Sequence, residues 1–449
     1  MIDFTSGNPM KQIFNFALPM LVGNLLQQLY SMADTIVVGR FVSGTALAAV
    51  GSSSSIIQFL VSVLIGLTTG ASVVISQFYG AKKEAELKRT VSTSIIFMAV
   101  FSIIITIGGV AGAGPLLRFL GVDESIYEGA KLYLTIIMAG VTFPVYFNMY
   151  MAYMRALGDS KSPLYILLFS TTLNIVLDVL FVAGLGWGIA GAAIATIIAQ
   201  TLAMVFCIWV AVRKIHLLRI NKLEFDKNIF KLILTYGVPS SIQLSITSLA
   251  SMTIMRLVNS FGAITVAGFT AGVRVENFAL MPLSNVFTAI STFVGQNMGA
   301  NQEDRAKEGL MAGLKLMVVI SIITSVLIIV FSRFLMAQFV GAGDINAAAI
   351  ISEGTIYLSI ISLFYILFAV FFAFNGFFRG VGDAIIVMIL TITSLTIRTV
   401  SAHFLAANFG MGIASVAWSI PIGWGLCGAF GIFYYKMGWW RGKVATDKV

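Results

Sequence analysis

Long apolar runs separated by short polar intervals divide the chain into twelve segments. Each run spans about 20 residues or more, the length that an α-helix needs to cross the hydrocarbon core of a bilayer. We therefore predict about twelve transmembrane helices and an all-α polytopic membrane fold. The runs lie near residues 11–38, 46–78, 90–114, 127–156, 162–184, 188–212, 230–259, 264–298, 308–332, 349–378, 384–408 and 412–436.

The two halves of the chain repeat each other in sequence. Four blocks recur in the same order: FALP at 16–19 and YGVP at 236–239, QFYGA at 77–81 and QNMGA at 296–300, RALGD at 155–159 and RGVGD at 379–383, and GWGIA at 186–190 and GMGIA at 410–414. The pattern predicts two six-helix bundles, residues 1–212 and 230–449, joined by a cytoplasmic linker at 213–229. Since each bundle has an even number of helices, we expect a pseudo-two-fold axis along the membrane normal and alternating access between the bundles.

Composition and charge agree with a membrane location. The 449 residues are 58% hydrophobic and only 10% charged, whereas about a quarter of the residues in a soluble domain are charged. Basic residues concentrate in alternate loops, and the opposite loops carry only Arg40, Arg118, Lys131 and Arg333. Cytoplasmic loops hold such an excess, so we expect both termini in the cytoplasm and a plasma (inner) membrane location. The net charge of +9 then reflects anionic lipids rather than nucleic acid.

Few residues in the chain suit a metal centre or a cofactor. The only cysteines are Cys207 and Cys427, and the only histidines are His216 and His403. Their spacing matches no zinc or haem ligand set. A phosphate-binding GxxxxGK[ST] loop is also missing, so ATP is not expected to drive the protein. We predict no cofactor beyond a coupling ion and no obligate protein partner.

Three acids lie inside apolar segments, where a charged side chain costs about 2.5–3.5 kcal/mol on insertion scales and therefore needs a partner or a task. They are Asp34, Asp178 and Glu276. Asn174 precedes Asp178 by four residues and shares its helix face, and Thr196 in the sixth helix is placed at a similar depth. These oxygens suit a small cation or a shared proton. The alternative is polar contact between packed helices, worth about 0.6 kcal/mol each.

Glu276 has two interpretations that the sequence leaves open. It could form a buried ion pair with Arg256 or Arg398 on a neighbouring helix. It could instead attract a cationic substrate in the second bundle. No spacing argument separates the two.

Other side chains are candidates for a hinge or for substrate binding. Pro19 and Pro239 interrupt the hydrogen-bond ladder of equivalent helices, and Pro19 is either a hinge or a fixed kink. Aromatic and methionine side chains suit flat, cationic, amphipathic molecules. The candidate substrate-binding residues are Gln28, Tyr133, Tyr146, Met149, Glu276 and Asn375.

One short string matches a different class of protein. Gly380–Asp383 fits the GxGD pattern of intramembrane aspartyl proteases. Its counterpart Gly158-Asp159 occupies the same loop of the first repeat, and both loops are predicted at the cytoplasmic surface. A protease needs a second aspartate at membrane depth facing the first, so we predict no enzyme activity.

Taken together, these blocks resemble the multidrug and toxic compound extrusion (MATE) transporters, bacterial branch, over nearly the whole chain. The resemblance is carried by Pro19 with LLQQ at 25–28 and MADT at 32–35, the Gly80-Ala81 loop, RALGD at 155–159, NIVLD at 174–178 and GIAGAA at 188–193. It implies two six-helix bundles in a V and export of organic cations and other toxic compounds in exchange for Na⁺ or H⁺.

The resemblance also implies roles for individual residues. Asp34 matches the family's essential first-helix aspartate, and Asn174, Asp178 and Thr196 match its amino-terminal cation site. The second bundle departs from the family, because some members carry an acid in the tenth helix, where this chain has phenylalanines and Asn375. The other functions considered are a lipid or lipid-linked oligosaccharide flippase, the intramembrane protease, and a uniporter or channel.

Overall fold

A computed structural model describes residues 1–41, 44–340 and 345–448, together with their side chains except those of residues 29–41, 44–47, 55 and 447. Over these ranges the protein is helical, and no β-strand occurs in them. The helices are α1 (Pro9–Phe41), α2 (Gly44–Gly80), α3 (Glu84–Phe119), α4 (Glu124–Ala139), α5 (Thr142–Ala156), α6 (Lys161–Asp178), α7 (Gly188–Lys214), α8 (Lys227–Asn259), α9 (Ala263–Gly299), α10 (Glu303–Ala337), α11 (Ala347–Ser362), α12 (Tyr365–Val381), α13 (Ala384–Phe409) and α14 (Ile413–Met437).

Each of the twelve predicted segments coincides with one helix or with a pair of helices. In the described part of the chain, nine helices are long and apolar enough to span a membrane, and two bent pairs raise the number to eleven. Helix α1 corresponds to the first predicted segment. The predicted all-α polytopic fold is confirmed.

Two segments predicted as single helices are broken in the structure. Helices α4 and α5 meet at an angle of 52°, and helices α11 and α12 meet at 55°. The first break falls at Gly140, and Pro144 lies in the first turn of α5, where a missing N–H is tolerated. Apolar periodicity continues across both breaks, so composition alone did not reveal them.

The backbone repeats as the sequence does. Lys82 and Asn301 occupy matched positions after the QFYGA and QNMGA blocks, and both have φ of 57°. At the next matched loop, Gly158 and Gly382 have φ of 82° and 97°. Non-glycine residues rarely adopt a positive φ, so the coincidence shows that the two repeats share their loop geometry.

The described chain divides into two compact units. The N-terminal unit comprises Leu18–Ser241 with Met1–Asp3, and the C-terminal unit comprises Ile242–Lys448 with Phe4–Ala17. Helices α1 and α8 therefore each contribute to both units. The predicted division into bundles 1–212 and 230–449, joined by a cytoplasmic linker at 213–229, follows the sequence repeat and stays a prediction.

Candidate functional site

The polar site of the N-terminal unit is built on the last turns of α6. Asn174 and Asp178 are four residues apart on one helix face, and only 2% and 1% of their surfaces are exposed. Neither the Nδ2 nor the Oδ1 atom of Asn174 has a hydrogen-bond partner among the described residues. Buried amides are normally hydrogen-bonded, which makes this one a candidate ligand for a bound ion.

The helix changes its hydrogen-bond pattern directly after Asp178. Residues Val179–Gly184 form a π-helix, with the N–H of Leu185 donating to the carbonyl of Leu180 over 2.8 Å. Short π segments are rare and occur often at functional sites. Sequence reasoning missed this feature, because an apolar run has the same composition in either helix type.

Helix α7 packs closely against the π segment. A Cβ atom at Gly191 would lie 3.1 Å from the carbonyl oxygen of Phe181, so the absent side chain permits the approach. Thr196 follows on the same helix, is partly buried, and donates its hydroxyl to the carbonyl of Ala192 over 3.0 Å. Its oxygen lone pairs remain able to accept a hydrogen bond or a cation.

Asp34 lies in α1, but its side chain is outside the described residues. The structure therefore brings Asn174 and Asp178 together on one face, with α7 packed against their helix. The roles of all four residues in cation coupling, and of Pro19 as a hinge, stay predictions. Pro19 lies inside the continuous helix α1.

A second polar cluster lies in the C-terminal unit around Glu276. Gly268, Gly272 and Glu276 are spaced four residues apart and share one face of α9. A Cβ atom at Gly268 would lie 2.7 Å from the carbonyl oxygen of Ile350, and one at Gly272 would lie 3.0 Å from the ring of Tyr357. The two glycines therefore let α11 approach α9.

This close approach supplies the partner of Glu276. The hydroxyl of Tyr357 donates to Oε2 of Glu276 over 2.6 Å. The guanidinium of Arg398 in α13 attracts the carboxylate electrostatically. The two groups do not form an ion pair among the described residues. Arg256 is exposed, and of the two arginines Arg398 is the one that acts electrostatically on Glu276.

Two further polar atoms of the cluster have no partner in the described chain. They are the hydroxyl of Tyr365, a residue with no exposed surface, and Nε of Arg398. Tyr365 begins α12 directly after the 55° break, whereas Tyr357 belongs to α11 before it. Both tyrosines belong to one hydrophobic cluster, and of the two only Tyr357 has a hydrogen bond to Glu276 among the described residues.

The remaining substrate-binding candidates are divided between the units. In the N-terminal unit, Gln28 is partly exposed, Tyr133 and Met149 are buried, and the Tyr146 hydroxyl donates to the carbonyl of Ile95 over 2.8 Å. Asn375 in the C-terminal unit donates to the carbonyl of Phe371 over 2.7 Å. Met149 has no exposed surface, as is typical of a packing residue. Substrate binding by these residues stays a prediction.

Both aspartates of the matched RALGD and RGVGD loops have structural partners. Asp159 accepts a hydrogen bond from the Ser162 hydroxyl over 2.7 Å. It also forms an ion pair with Lys214, whose Nζ lies 2.8 Å from Oδ2. Asp383 accepts the N–H of Ile386 at the start of α13 and the hydroxyl of Tyr434 over 2.7 Å. The GxGD string is thus a helix cap in this fold.

The partners of Asp159 stabilise its carboxylate form. Burial alone would raise its pKa, but the hydrogen bonds from Lys214 and Ser162 outweigh burial and hold the pKa below its usual value. A protease aspartate must exchange protons during its reaction. These contacts favour a structural role instead.

Comparison with known proteins decides the family. The MatE family model matches residues 19–180 and again residues 239–404, once in each sequence repeat. The chain belongs to the MatE family. It is 31% identical to the probable multidrug resistance protein YpnP of Bacillus subtilis (strain 168), over 99% of each chain. It is 28% identical to the probable multidrug resistance protein NorM of Thermotoga maritima, over 91% of this chain and 88% of that protein.

Solved structures agree with this assignment to the MatE family. An outward-facing multidrug resistance MATE family transporter of the MOP superfamily superimposes with a TM-score of 0.90 and 25% sequence identity, covering 97% of each chain. The many apolar helices and the family together make this chain an integral multi-pass membrane protein. The resemblance noted from the sequence blocks is confirmed.

Proposed function

We propose that this MatE-family protein is a secondary active antiporter of the plasma membrane, with both termini in the cytoplasm. It exports organic cations and other toxic compounds in exchange for Na⁺ or H⁺ by alternating access. The observation that carries this proposal is the buried pair of Asn174 and Asp178, in which the amide has no partner in the described chain.

The chemistry of the pair supports ion coupling. An ionised carboxylate buried in an apolar bundle is unfavourable unless a cation or a proton neutralises it. Asn174, Asp178 and Thr196 offer amide, carboxylate and hydroxyl oxygens, the hard ligands that small cations prefer. A site whose carboxylate is neutralised by a cation or a proton is buried at lower cost than an empty site with an ionised carboxylate. Ion binding therefore shifts the equilibrium towards conformations in which the site is buried.

The names of similar proteins support the substrate class. YpnP and NorM are described as probable multidrug resistance proteins, and MepA of Staphylococcus aureus, 21% identical, as a multidrug export protein. We extend the same activity to this chain. The aromatic and methionine candidates provide soft, adaptable contacts for flat cations.

Transport into proteoliposomes tests the proposal. We expect ethidium uptake to be driven by an imposed proton gradient or an imposed sodium gradient. Asp34→Asn and Asp178→Asn should each reduce the gradient-driven rate by about tenfold or more, equivalent to roughly 1.4 kcal/mol or more in transition-state free energy. Asp304→Asn is the matched control, since the Asp304 side chain is 96% exposed.

Two outcomes would contradict antiport. Gradient-driven ethidium uptake that survives in both aspartate variants would show that the predicted cation site is not needed for transport. Uptake that ignores both gradients would favour the flippase alternative, which translocation of a fluorescent lipid in the same vesicles then measures.

A further inference from the structure

A cavity in the N-terminal unit lies between the start of α3 and the connection from α7 to α8, residues 215–226. Its volume is about 280 Å³, close to the lower end of small-molecule sites, which span roughly 300–1,000 Å³. The part of its wall from α3 has the i, i+3, i+4, i+7 spacing of a single helix face. The cavity is lined by Ala85, Lys88, Arg89 and Ser92 of α3 and by residues 219–222 and Glu224 of the connection.

Hydrogen bonds fix the α7–α8 connection against α3. The Ser92 hydroxyl donates to the carbonyl of Glu224 over 2.9 Å, and its oxygen accepts the N–H of Glu224 over 2.6 Å. The N–H of Asp226 donates to the Thr93 hydroxyl over 3.1 Å. Leu218 of the connection has no exposed surface. The walls of the cavity are therefore held in place by the fold, as in most binding sites for small molecules.

Both walls of the cavity carry cations. Lys88 and Arg89 come from α3, and Arg219 and Lys222 come from the connection. Among the described residues, only Lys222 of these four has an ion-pair partner, Glu224, at 3.2 Å. Like charges that share one cavity repel each other. The arrangement is therefore suited to an anion that lies among them.

The neighbouring acids do not balance these cations. Glu84 lies 3.6 Å from Nε2 of His216, and Asp226 caps the start of α8. Glu86 belongs to the same turns of α3 but does not line the cavity. Glu224 is thus the one carboxylate among the residues that line the cavity, and it already pairs with a lysine.

The second repeat pairs its matched lysine internally. Counting from the QFYGA and QNMGA blocks, Lys88 of α3 corresponds to Lys307 of α10. Lys307 lies 2.8 Å from Glu303 and 3.0 Å from Asp304. The same position of the same fold therefore has two acids beside its lysine in the C-terminal unit.

The neighbouring matched positions differ in the same way. Arg89 corresponds to Glu308, so an acid in the second repeat takes the place of a base in the first. The segment after α14 corresponds to the connection after α7, and its Arg441 forms an ion pair with Glu303 at 3.1 Å. Acids and bases face each other in the C-terminal unit. In the N-terminal unit, both elements bring bases to one cavity.

The cavity lies at the polar end of candidate membrane spans. Helix α3 has 36 residues, which is about 54 Å at 1.5 Å per residue, whereas the hydrocarbon core is about 30 Å thick. Its charges concentrate in residues 84–89, so these first turns extend beyond the hydrocarbon. The connection joins the ends of two further candidate spans. The cavity is therefore placed at the level of lipid headgroups.

We propose that this cavity is a binding site for a phosphate group, carried by the headgroup of an anionic phospholipid or by a soluble phosphate compound. Guanidinium groups donate paired hydrogen bonds to phosphate oxygens, and a lysine supplies a point charge. A phosphate among Lys88, Arg89 and Arg219 offsets their mutual repulsion. Basic pockets at the ends of membrane helices bind lipid headgroups in the same manner. The site does not depend on antiport.

Direct binding to the full chain tests the site. The protein in a neutral detergent is titrated with ³²P-labelled phosphatidylglycerol and, separately, with ³²P-orthophosphate. Saturable binding of the lipid assigns the site to a headgroup. Saturable binding of orthophosphate without binding of the lipid assigns it to a soluble compound. In either case, we expect Arg89→Gln/Arg219→Gln to weaken the binding by about tenfold or more, since charge-assisted hydrogen bonds are lost.

A control with the same loss of charge separates the cavity from the general basic surface. Lys161→Gln/Lys227→Gln removes two exposed lysines of the N-terminal unit that do not line the cavity. Its affinity should stay within about twofold of the unmodified protein, since exposed charges outside the site contribute little. If Arg89→Gln/Arg219→Gln does not fold, Lys88→Gln decides instead. It should weaken binding about threefold or more, compared with Lys161→Gln.

Two results would overturn the phosphate site. One is that neither probe binds saturably to the unmodified protein. The other is an equal loss of affinity in the cavity variant and its control, because the basic residues would then act only as a diffuse charge. Either result leaves antiport untouched, since ethidium transport is measured separately.

Discussion

The hydroxyl of Tyr357 donates a 2.6 Å hydrogen bond to the carboxylate of Glu276, 81 positions away in the chain. The bond joins α11 to α9 inside the C-terminal unit. Because Arg398 attracts the same carboxylate without an ion pair in the described chain, the tyrosine is the direct partner. A hydroxyl therefore holds a group for which the sequence suggested either an arginine or a cationic substrate as the partner.

Tyr357→Phe tests the strength of this bond. A hydrogen bond to a charged group contributes about 1.5–3 kcal/mol, and its loss leaves the carboxylate less well satisfied. We expect the free energy of unfolding in detergent, measured by denaturant titration, to fall by about that amount. Tyr165→Phe is the control, since Tyr165 is 65% exposed. Equal stability of the two variants would contradict the structure at this contact.

A second prediction concerns Gly268, one of the two glycines on α9 that let α11 approach. A methyl group at Gly268 would meet the carbonyl oxygen of Ile350 at 2.7 Å, so Gly268→Ala must push α11 away from α9. We expect a loss of about 1–3 kcal/mol, in the range of overpacked cores. Gly108→Ala, in helix α3 with no atom within 4 Å, should instead gain about 0.5–1 kcal/mol. Thermal unfolding of both variants measures the difference in stability. A Gly268→Ala protein that unfolds at the same temperature as the unmodified protein would contradict the prediction.

Asp159 gives a prediction about pH. Its pKa is lower in the folded protein than in the unfolded chain, since hydrogen bonds from Lys214 and Ser162 outweigh burial. Its contribution is therefore present above the unfolded pKa of about 3.9 and is lost as the pH falls through the lower folded value. We expect Asp159→Asn to lose about 1–3 kcal/mol at neutral pH. The gap to the unmodified protein should narrow only below about pH 4.

The measurement for Asp159 is unfolding free energy as a function of pH. Asp304→Asn serves as the control, because its exposed carboxylate contributes little at any pH. A gap between Asp159→Asn and the unmodified protein that is constant down to the acid limit would show that the carboxylate charge is not what stabilises this loop.

Two substitutions of Thr196 separate the contribution of its hydroxyl group from that of its side-chain size. Thr196→Val keeps the shape and removes the oxygen, whereas Thr196→Ser keeps the oxygen and removes a methyl group. We expect the valine variant to lower the apparent affinity for the coupling ion about tenfold, roughly 1.4 kcal/mol. The serine variant should stay close to the unmodified protein. Ion dependence of ethidium transport measures both, and equal effects would indicate a packing role.

Phe4 anchors the start of the chain within the C-terminal unit. It has no exposed surface, and its ring packs edge-on against Phe16 and Phe293 with centroid distances of 5.2 and 5.5 Å. Its carbonyl accepts hydrogen bonds from Asn297 and Arg305, both 3.0 Å long. The terminal segment is thereby part of the packed core.

Phe4→Ala should therefore cost about 3–5 kcal/mol, as for other buried aromatic residues. Phe14→Ala is the matched control in the same segment, since Phe14 is 46% exposed. Thermal unfolding in detergent compares them. Two equally stable proteins would mean that the first residues add nothing to the core.

Hydrophobic pattern and repeat were sufficient for much of the fold. Apolar runs of bilayer length located the helices of the described chain apart from the breaks between α4 and α5 and between α11 and α12, because span length is a local property of the chain. The paired blocks predicted matched loops, which reappear as the equal φ angles at Lys82 and Asn301. The spacing of Asn174 and Asp178 placed them on one face, since helical periodicity alone determines that relation.

The partners of buried polar groups depended on contacts that no spacing encodes. Tyr357 reaches Glu276 because two glycines on α9 admit α11. The break between α11 and α12 could not be predicted from the apolar pattern. The π segment after Asp178 has the composition of an ordinary helix. The sequence by itself determined the positions of the twelve apolar segments, their repeat and the family of this transporter. Tertiary structure decided which groups hydrogen-bond to the polar side chains inside the helices, because such a side chain is satisfied only by the atoms that packing brings within reach.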